Sequence, residues 1–311
     1  MNNVLVTGAS GLVGRSVVAA ARNAGHVVTG LARSGADGAL ERDLTRPLRE
    51  VPPHDAVFHL AGAYAGASQR TLRRADFRMA KNVLAWGRRN GVEKWVFASA
   101  AEVYGDIDGV GTERAPLRPA IPYGEIKQAI EKQFLCEAAK NPSWRVVILR
   151  IGEVYGDEAK LVRELSSRLM SGFCPWPGSG RVSVSFVHVH DVAQAFLCAL
   201  DNAPTGVSIF NVADGEPATW RDFLSCFADK LGARPPRYLP RPIVSTYAFG
   251  HSVAQRLAGR EPVLTRHALR LLNTPKALSI DKITRELGFA SRYSNIRIGL
   301  EDVLHGLPHH A

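Results

Sequence analysis

The chain lacks most of the features that would set it outside the ordinary globular proteins. No apolar run approaches the ~20 residues needed to cross a bilayer, the longest being interrupted by Arg, His or Gly, so no membrane partner is expected. Met1-Asn2-Asn3 passes directly into Val4-Leu5-Val6, without a basic n-region, an apolar h-region or a small-residue cleavage site, which predicts a cytoplasmic protein. Cysteine is scarce: Cys136, Cys174, Cys198 and Cys226 are widely spaced, with no CxxC pair and no zinc-type His cluster beside them. Reduced, buried thiols and no metal are the expectation. Repeats and low-complexity segments are absent. The formal net charge is +10, yet no run of five or six basic residues occurs, which argues against a nucleic-acid partner. Scattered positive charge instead suits attraction of a phosphate-rich small molecule.

What is present is an α/β rhythm. With 311 residues, 46% of them hydrophobic and 22% charged, the chain can bury one large core or two joined ones. Short apolar runs at Val4 to Thr7, His26 to Leu31, Ala56 to Leu60, Trp95 to Ser99 and Arg145 to Ile151 predict strands. Between them, Ser10 to Ala24, Asp76 to Asn90 and Tyr123 to Lys140 carry apolar residues at helical spacing. Strands separated by helices predict a doubly wound parallel sheet, because parallel neighbours need long crossovers. Val207 to Val212 reads as a further strand returning to that sheet. After about Gly156 frequent prolines punctuate shorter elements, predicting a smaller, interleaved region. The expected division is 1–170 with 186–213 for the sheet and 171–185 with 214–311 for substrate binding.

Thr7-Gly8-Ala9-Ser10-Gly11-Leu12-Val13-Gly14 follows the first predicted strand and opens a helix. Gly8 permits the tight turn, Gly11 lets backbone approach a pyrophosphate, and Gly14 allows close helix packing. The amides of Ser10, Leu12 and Val13 and the positive end of the helix dipole then face the phosphates. The second strand ends Leu31-Ala32-Arg33, without the acidic residue that bonds a ribose 2′-hydroxyl in NAD sites. Arg33 can meet a 2′-phosphate, so NADP is favoured, with NAD as the alternative. Asp43-Leu44 after the third strand either holds an adenine amino group or is a surface Asp capping a helix. Tyr123 and Lys127 lie four apart on one predicted helix face, where the ammonium is expected to lower the phenol pKa and ready it for proton transfer.

Taken together, TGASGLVG, HLAG (His59 to Gly62), FASAAEVYG (Phe97 to Gly105), YGEIK, LRIGEVYG (Leu149 to Gly156), FVHVHDVAQA (Phe186 to Ala195) and FNVADGEPATW (Phe210 to Trp220) resemble the extended short-chain dehydrogenase/reductases. That family also contains nucleotide-sugar epimerases and dehydratases. The resemblance implies a Rossmann-type sheet, an acid/base role for Tyr123 and contact of Lys127 with the nicotinamide ribose. It also implies that Leu60, Ala61 and Gly62 lie along the cofactor, with Ile151 and Val154 near its nicotinamide end. The family's hydrogen-bonding Ser or Thr is replaced by Ala100, leaving Ser99 as a substitute if the strand end is twisted. Glu102 matches an acidic residue that acts as a base in many relatives.

An arginine that clasps the diphosphate in nucleotide-sugar enzymes is replaced by Val184, with Arg181 nearby. The C-terminal third is similar to the steroid-dehydrogenase and dihydroflavonol-reductase-like branch at Leu239 to Pro242, Gly259 to Arg266, Leu278 to Lys282 and Glu286 to Phe289. Val244, Tyr247, Ala248, Val253 and Leu257 form an amphipathic stripe there, either pocket lining or core. Phe173, Trp176 and Trp220 carry the same two readings. His188 and His190 alternate on a predicted strand beside Asp191 and are read as a structural pair. The expected function is NADP-dependent hydride transfer to a carbonyl, or from a secondary alcohol, of a small, fairly apolar molecule. An epimerase or dehydratase recycling NAD(P) internally and a catalytically impaired cofactor-binding protein are the alternatives. Relatives often dimerise through the helices flanking the tyrosine, which allows a homodimer.

Overall fold

The computed structural model describes residues 1–35, 38–62, 69–240, 242–244, 246, 269–270 and 272–306, with side chains left aside for 69–73. Arg241, Tyr247, Ala248, Val253, Leu257, the Gly259 to Arg266 motif and the closing histidines lie outside the described residues. Among those described, no helix is long and apolar enough to cross a membrane.

Seven strands form one sheet: β1 (Asn3–Thr7), β2 (Val27–Ala32), β3 (Leu40–Glu41), β4 (Ala56–His59), β5 (Lys94–Ala100), β7 (Arg145–Ile151) and β12 (Gly206–Val212). Their order is β12-β7-β5-β4-β1-β2-β3, and every pairing is parallel. The reversal of winding at β1 and β4 opens a crevice at the carboxyl ends of the strands, where open α/β sheets bind ligands. The other short strands pair off locally: β6 (Val110–Gly111) with β15 (Ala277–Leu278), β8 (Glu153–Tyr155) with β11 (Phe186–His188), β9 (Pro175–Pro177) with β14 (Arg237–Leu239), and β10 (Ser183–Val184) with β13 (Ala218–Thr219).

Two apolar layers cover the sheet, as a parallel sheet requires on both faces. On one face Phe58, Val147, Leu149 and Phe210 pack with Val17 of helix α1 (Leu12–Asn23) and Phe196 of α5 (Val189–Asn202). On the other, Val57, Trp95, Phe97 and Ile148 pack with Val83 and Trp86 of α2 (Gln69–Arg89) and with Ile130 and Phe134 of α3 (Pro122–Lys140). Phe97 and Phe134 stack with centroids 5.0 Å apart, fixing α3 against β5. Pro122 starts α3 at a first-turn position where its missing N–H costs nothing.

A third core joins α4 (Lys160–Met170), α6 (Trp220–Lys230) and α8 (Ile296–Gly306). Trp176 and Trp220 are buried in it with centroids 5.1 Å apart, whereas Phe173 is 62% exposed. The two tryptophans therefore fill the core. The strand expected through His190 stops at His188. His188 instead caps α5, its ring accepting from the His190 amide at 3.4 Å, and His190 belongs to the first helical turn.

Candidate active site

The first strand-to-helix turn has the geometry of a phosphate cradle. Gly8 sits at φ +75°, and a Cβ there would lie 2.8 Å from the Ala61 nitrogen. A Cβ on Gly14 would lie 2.0 Å from the Gly8 carbonyl oxygen, so α1 can approach the turn only because residue 14 is glycine. Gly11 is the exposed N-cap and has no side chain to occupy the free amides of the first turn, which also contains no acidic residue. Ser10, Leu12 and Val13 surround it half-buried. These features fit a dinucleotide pyrophosphate: bare backbone donors, a positive helix end and no competing carboxylate.

The HLAG segment is anchored beneath this turn. Thr7 Oγ1 accepts from the Ala61 amide at 3.2 Å and contacts His59 Nδ1 at 2.8 Å. Complete burial, with nearby Lys127, pulls the His59 pKa down to about 3, so its imidazole is neutral. Leu60 is half-buried, Ala61 buried and Gly62 exposed at the cleft. Arg33 is exposed just beyond β2. A separate cleft of about 240 Å³ along α1 is lined by Ala9, Gly30, Gly38 and Ala39 together with Arg15 and Arg22, and Arg33 is not among its lining residues. The Asp43 carboxylate is engaged locally, accepting from the Thr45 amide (2.9 Å) and hydroxyl (2.7 Å), which lowers its pKa. Its neighbour Leu44 is buried.

Helix α3 brings Lys127 beside the HLAG segment, its Nζ 3.6 Å from the position a Cβ on Gly62 would take and 5.7 Å from the Tyr123 ring centroid. Lys127 is 5% exposed and donates to the Ala98 carbonyl at 2.7 Å. Burial pulls its pKa down to about 8, although Asp76, Glu102 and Glu131 act to raise it. Asp76, on α2, is buried and, like Lys127, lies within 4 Å of the position a Cβ on Gly62 would take. The expected lowering of the phenol pKa by Lys127 is reversed here. Burial, then Glu102, Asp76 and Glu153, push Tyr123 well above an ordinary phenol. The carboxylates and the loss of water outweigh an ammonium that is itself weakened.

The Lys127 shift has a measurable sign. A folded pKa of about 8 against 10.5 means that the unfolded chain binds more protons between those values, so stability rises with pH across that window. Replacing Lys127 by methionine should remove this rise. Thermal unfolding from pH 7 to 10 should show the wild type gaining on the variant as the ammonium titrates.

Glu102 stands beside a partner that sequence spacing does not reveal. Lys276, 2% exposed at its side chain, donates to Glu102 Oε1 at 2.6 Å and to Glu153 Oε2 at 3.3 Å. Its backbone is tied to β10 and the residue after it, through Lys276 N to Ser183 O at 2.9 Å and Ser185 N to Lys276 O at 3.0 Å. The C-terminal region thus places an ammonium between two carboxylates from the ends of β5 and β7. Ile151 and Val154 flank Glu153, Ile151 pairing with Ala100 and Val154 with Val187.

Ser99 does not join the cleft. Its hydroxyl donates to Glu131 Oε1 at 2.5 Å, within a buried network in which Arg150 grips Glu131 through Nε (3.1 Å) and Nη2 (2.8 Å). Strand alternation turns Ser99 toward α3, which removes it as a replacement for the hydroxyl missing at Ala100. His188, His190 and Asp302 of α8 bring three ligand-type atoms within 4.8 Å of one another. His188 Nδ1 accepts from an amide, so Nε2 carries the proton of the neutral ring; among the described residues it has no hydrogen-bond partner, Asp302 Oδ2 lying 3.6 Å away. Burial and His190 hold that ring's pKa down to about 4.

A Gly-rich cradle at the switch point of a parallel sheet, with a Tyr–Lys pair one helix away, defines a nicotinamide-dinucleotide enzyme of the Rossmann type. A family model described as NAD dependent epimerase/dehydratase family matches residues 4–213. The chain belongs to that family, within the extended short-chain dehydrogenase/reductases. It is 29% identical to a 4-hydroxy-2-methyl-3-oxo-4-farnesyl-3,4-dihydroquinoline-1-oxide ketoreductase of Stigmatella aurantiaca, over 93% of this chain and 92% of that protein. Among solved structures it is similar in fold to MoeE5 in complex with UDP-glucose and NAD, with a TM-score of 0.78 at 24% identity over 98% of both chains. The human epimerase family protein SDR39U1 with NADPH gives 0.79 at 20% identity, over 98% of this chain and 100% of that one.

Proposed function

We propose that this protein is an NADP-dependent reductase that moves a hydride to the carbonyl of a small, fairly apolar molecule. The observation that carries the reading is the Tyr123 phenol, kept protonated beside a buried lysine at the crevice. The cradle and Lys127 would hold a dihydronicotinamide dinucleotide, which would supply the hydride for the carbonyl carbon. Tyr123 Oη then gives its proton to the carbonyl oxygen as negative charge develops there, a task for which a raised phenol pKa is suitable because an alkoxide is more basic still. Lys127 fixes the ribose end and stabilises that charge electrostatically. Gly8, Ser10, Gly11, Leu12, Val13 and Gly14 hold the pyrophosphate. Leu60, Ala61, Gly62, Ile151 and Val154 line the path toward the nicotinamide, with Asp43 and Leu44 at the adenine end. The segments 1–170 and 186–213 form the nucleotide-binding domain in this reading, and 171–185 with 214–311 the substrate region.

The exposed Arg33 at the end of β2, where no acidic residue stands, supports NADP over NAD, as does the NADPH described for SDR39U1. Replacing Arg33 by alanine should weaken NADPH binding by ~1 to 3 kcal/mol, the cost of a lost charge-assisted bond, and leave NADH binding nearly unchanged. Tryptophan-fluorescence titration with both coenzymes measures this. Equal losses would remove Arg33 from the 2′-phosphate.

The similarity to a ketoreductase supports net reduction, whereas the fold shared with UDP-glucose-bound MoeE5 supports an epimerase with internally recycled coenzyme. Coenzyme stoichiometry separates them. Oxidation of one NADPH per ketone consumed is the expected result, and conversion of a nucleotide sugar without net oxidation would reverse the assignment.

A further inference from the structure

The buried ammonium of Lys276 is the feature of the crevice that hydride transfer leaves unused. Resting on the reading above, we propose that this crevice selects carbonyl compounds without acidic groups, and that Glu153, held with Glu102 around Lys276, is the specificity-determining residue that turns anions away.

The argument begins with charge. A cleft that binds a phosphate or carboxylate normally offers an unshared arginine or lysine to it. Here Lys276 is 1% exposed, and its donors go to Glu102 at 2.6 Å and Glu153 at 3.3 Å. Two carboxylates share one ammonium, so the cluster is negative when both are ionised and neutral when Glu153 holds a proton. Burial and Glu102 do push Glu153 upward. In neither state is there a positive charge to spare.

Position supplies the second step. Glu102 follows the end of β5 and Glu153 follows β7, the strands whose carboxyl ends border the crevice. The Glu102 backbone abuts α3 beside Tyr123, a Cβ on Gly124 lying 2.2 Å from the Glu102 carbonyl oxygen, and Lys276 ties Glu153 to Glu102. The two carboxylate side chains are 12% and 20% exposed, whereas that of Lys276 is 2% exposed. A substrate therefore encounters oxygens rather than the ammonium. Val184, whose backbone bridges to Lys276, is fully buried and adds no charge. A polar end that donates a hydrogen bond, such as an amine, amide or phenol, fits these oxygens, and an anion meets like charge from this cluster.

Binding of three matched probes tests this: para-acetylbenzamide, para-acetylbenzoate and para-(aminomethyl)acetophenone, titrated calorimetrically into the NADPH-loaded protein. The amide and the amine should bind at least about tenfold more tightly than the carboxylate, the scale of one uncompensated charge. Glu153→Gln should bring carboxylate and amide to near-equal affinity, and Glu102→Gln should do so in part. Thermal unfolding confirms that both variants fold. Equal or tighter binding of the carboxylate by the wild type would overturn the proposal. So would an unchanged preference in Glu153→Gln, or failure of every probe to bind at millimolar concentration. Calorimetry reads affinity whether or not hydride moves, so a protein that binds these ligands selectively but never oxidises NADPH would sink the reductase reading alone.

Discussion

Replacing Tyr123 by phenylalanine is expected to cut turnover by ~10³-fold while leaving the dissociation constant for NADPH within experimental error of the wild type. The variant removes one oxygen from a helix whose packing rests on Ile126, Ile130 and Phe134, so the fold should hold. The cradle is built from the turn after β1 and is untouched. A thousandfold loss corresponds to about 4 kcal/mol of transition-state stabilisation, reasonable for a proton donor at the oxygen that develops charge. The effect should appear in kcat and in kcat/KM alike, because the ground state gains little from the phenol. Substantial residual turnover would mean that another acid supplies the proton. Glu102 would then be the group to examine, since it too acts on the phenol electrostatically and lies in the same crevice.

The strand expectations at Val4 to Thr7, Ala56 to Leu60, Trp95 to Ser99 and Arg145 to Ile151 fall on β1, β4, β5 and β7, because buried parallel strands read as continuous apolar runs. The helix at Tyr123 to Lys140 was equally legible, opened by a proline and closed by a lysine. The cradle was legible from its glycine spacing together with the strand before it and the helix after it, and a Cβ on Gly8 or Gly14 would collide with backbone. The strand drawn through His190 failed for a local reason: the His188 ring caps the next helix, and periodicity over so few residues cannot register a cap.

What the sequence concealed is the electrostatics of the crevice. Lys276 meets Glu102 and Glu153 across 174 and 123 residues, a convergence that only the local pairing of β10 with its neighbours creates. Burial first, and then Glu102, Asp76 and Glu153, reverse the expected direction of the Tyr123 shift. A lysine four residues away is visible in the sequence, whereas the burial and the carboxylates from three other elements are not. The choice between Ser99 and Ala100 was open to strand alternation, but the partner that claims the Ser99 hydroxyl was not.

That partner sets the largest expected effect on stability. Arg150 and Glu131 are 3% and 2% exposed, joined by two nitrogen-to-oxygen contacts. Arg150 also donates to the Tyr104 hydroxyl at 3.0 Å, which in turn donates to Asn211 Oδ1 at 2.6 Å. The network thereby links β7, α3 and β12 behind the catalytic helix. Arg150→Met should destabilise the protein by ~3 to 5 kcal/mol, because it leaves a buried carboxylate with the Ser99 hydroxyl as its remaining hydrogen-bond partner among the described residues. Most of that cost comes from the widowed charge and not from lost attraction. The double variant Arg150→Met with Glu131→Leu should therefore recover much of the loss, since two buried ions are replaced by apolar groups of similar size. Urea unfolding of the wild type, both single variants and the double variant closes the cycle. A small loss in Arg150→Met would mean that water reaches Glu131 and that the pair is not sealed behind the active-site helix.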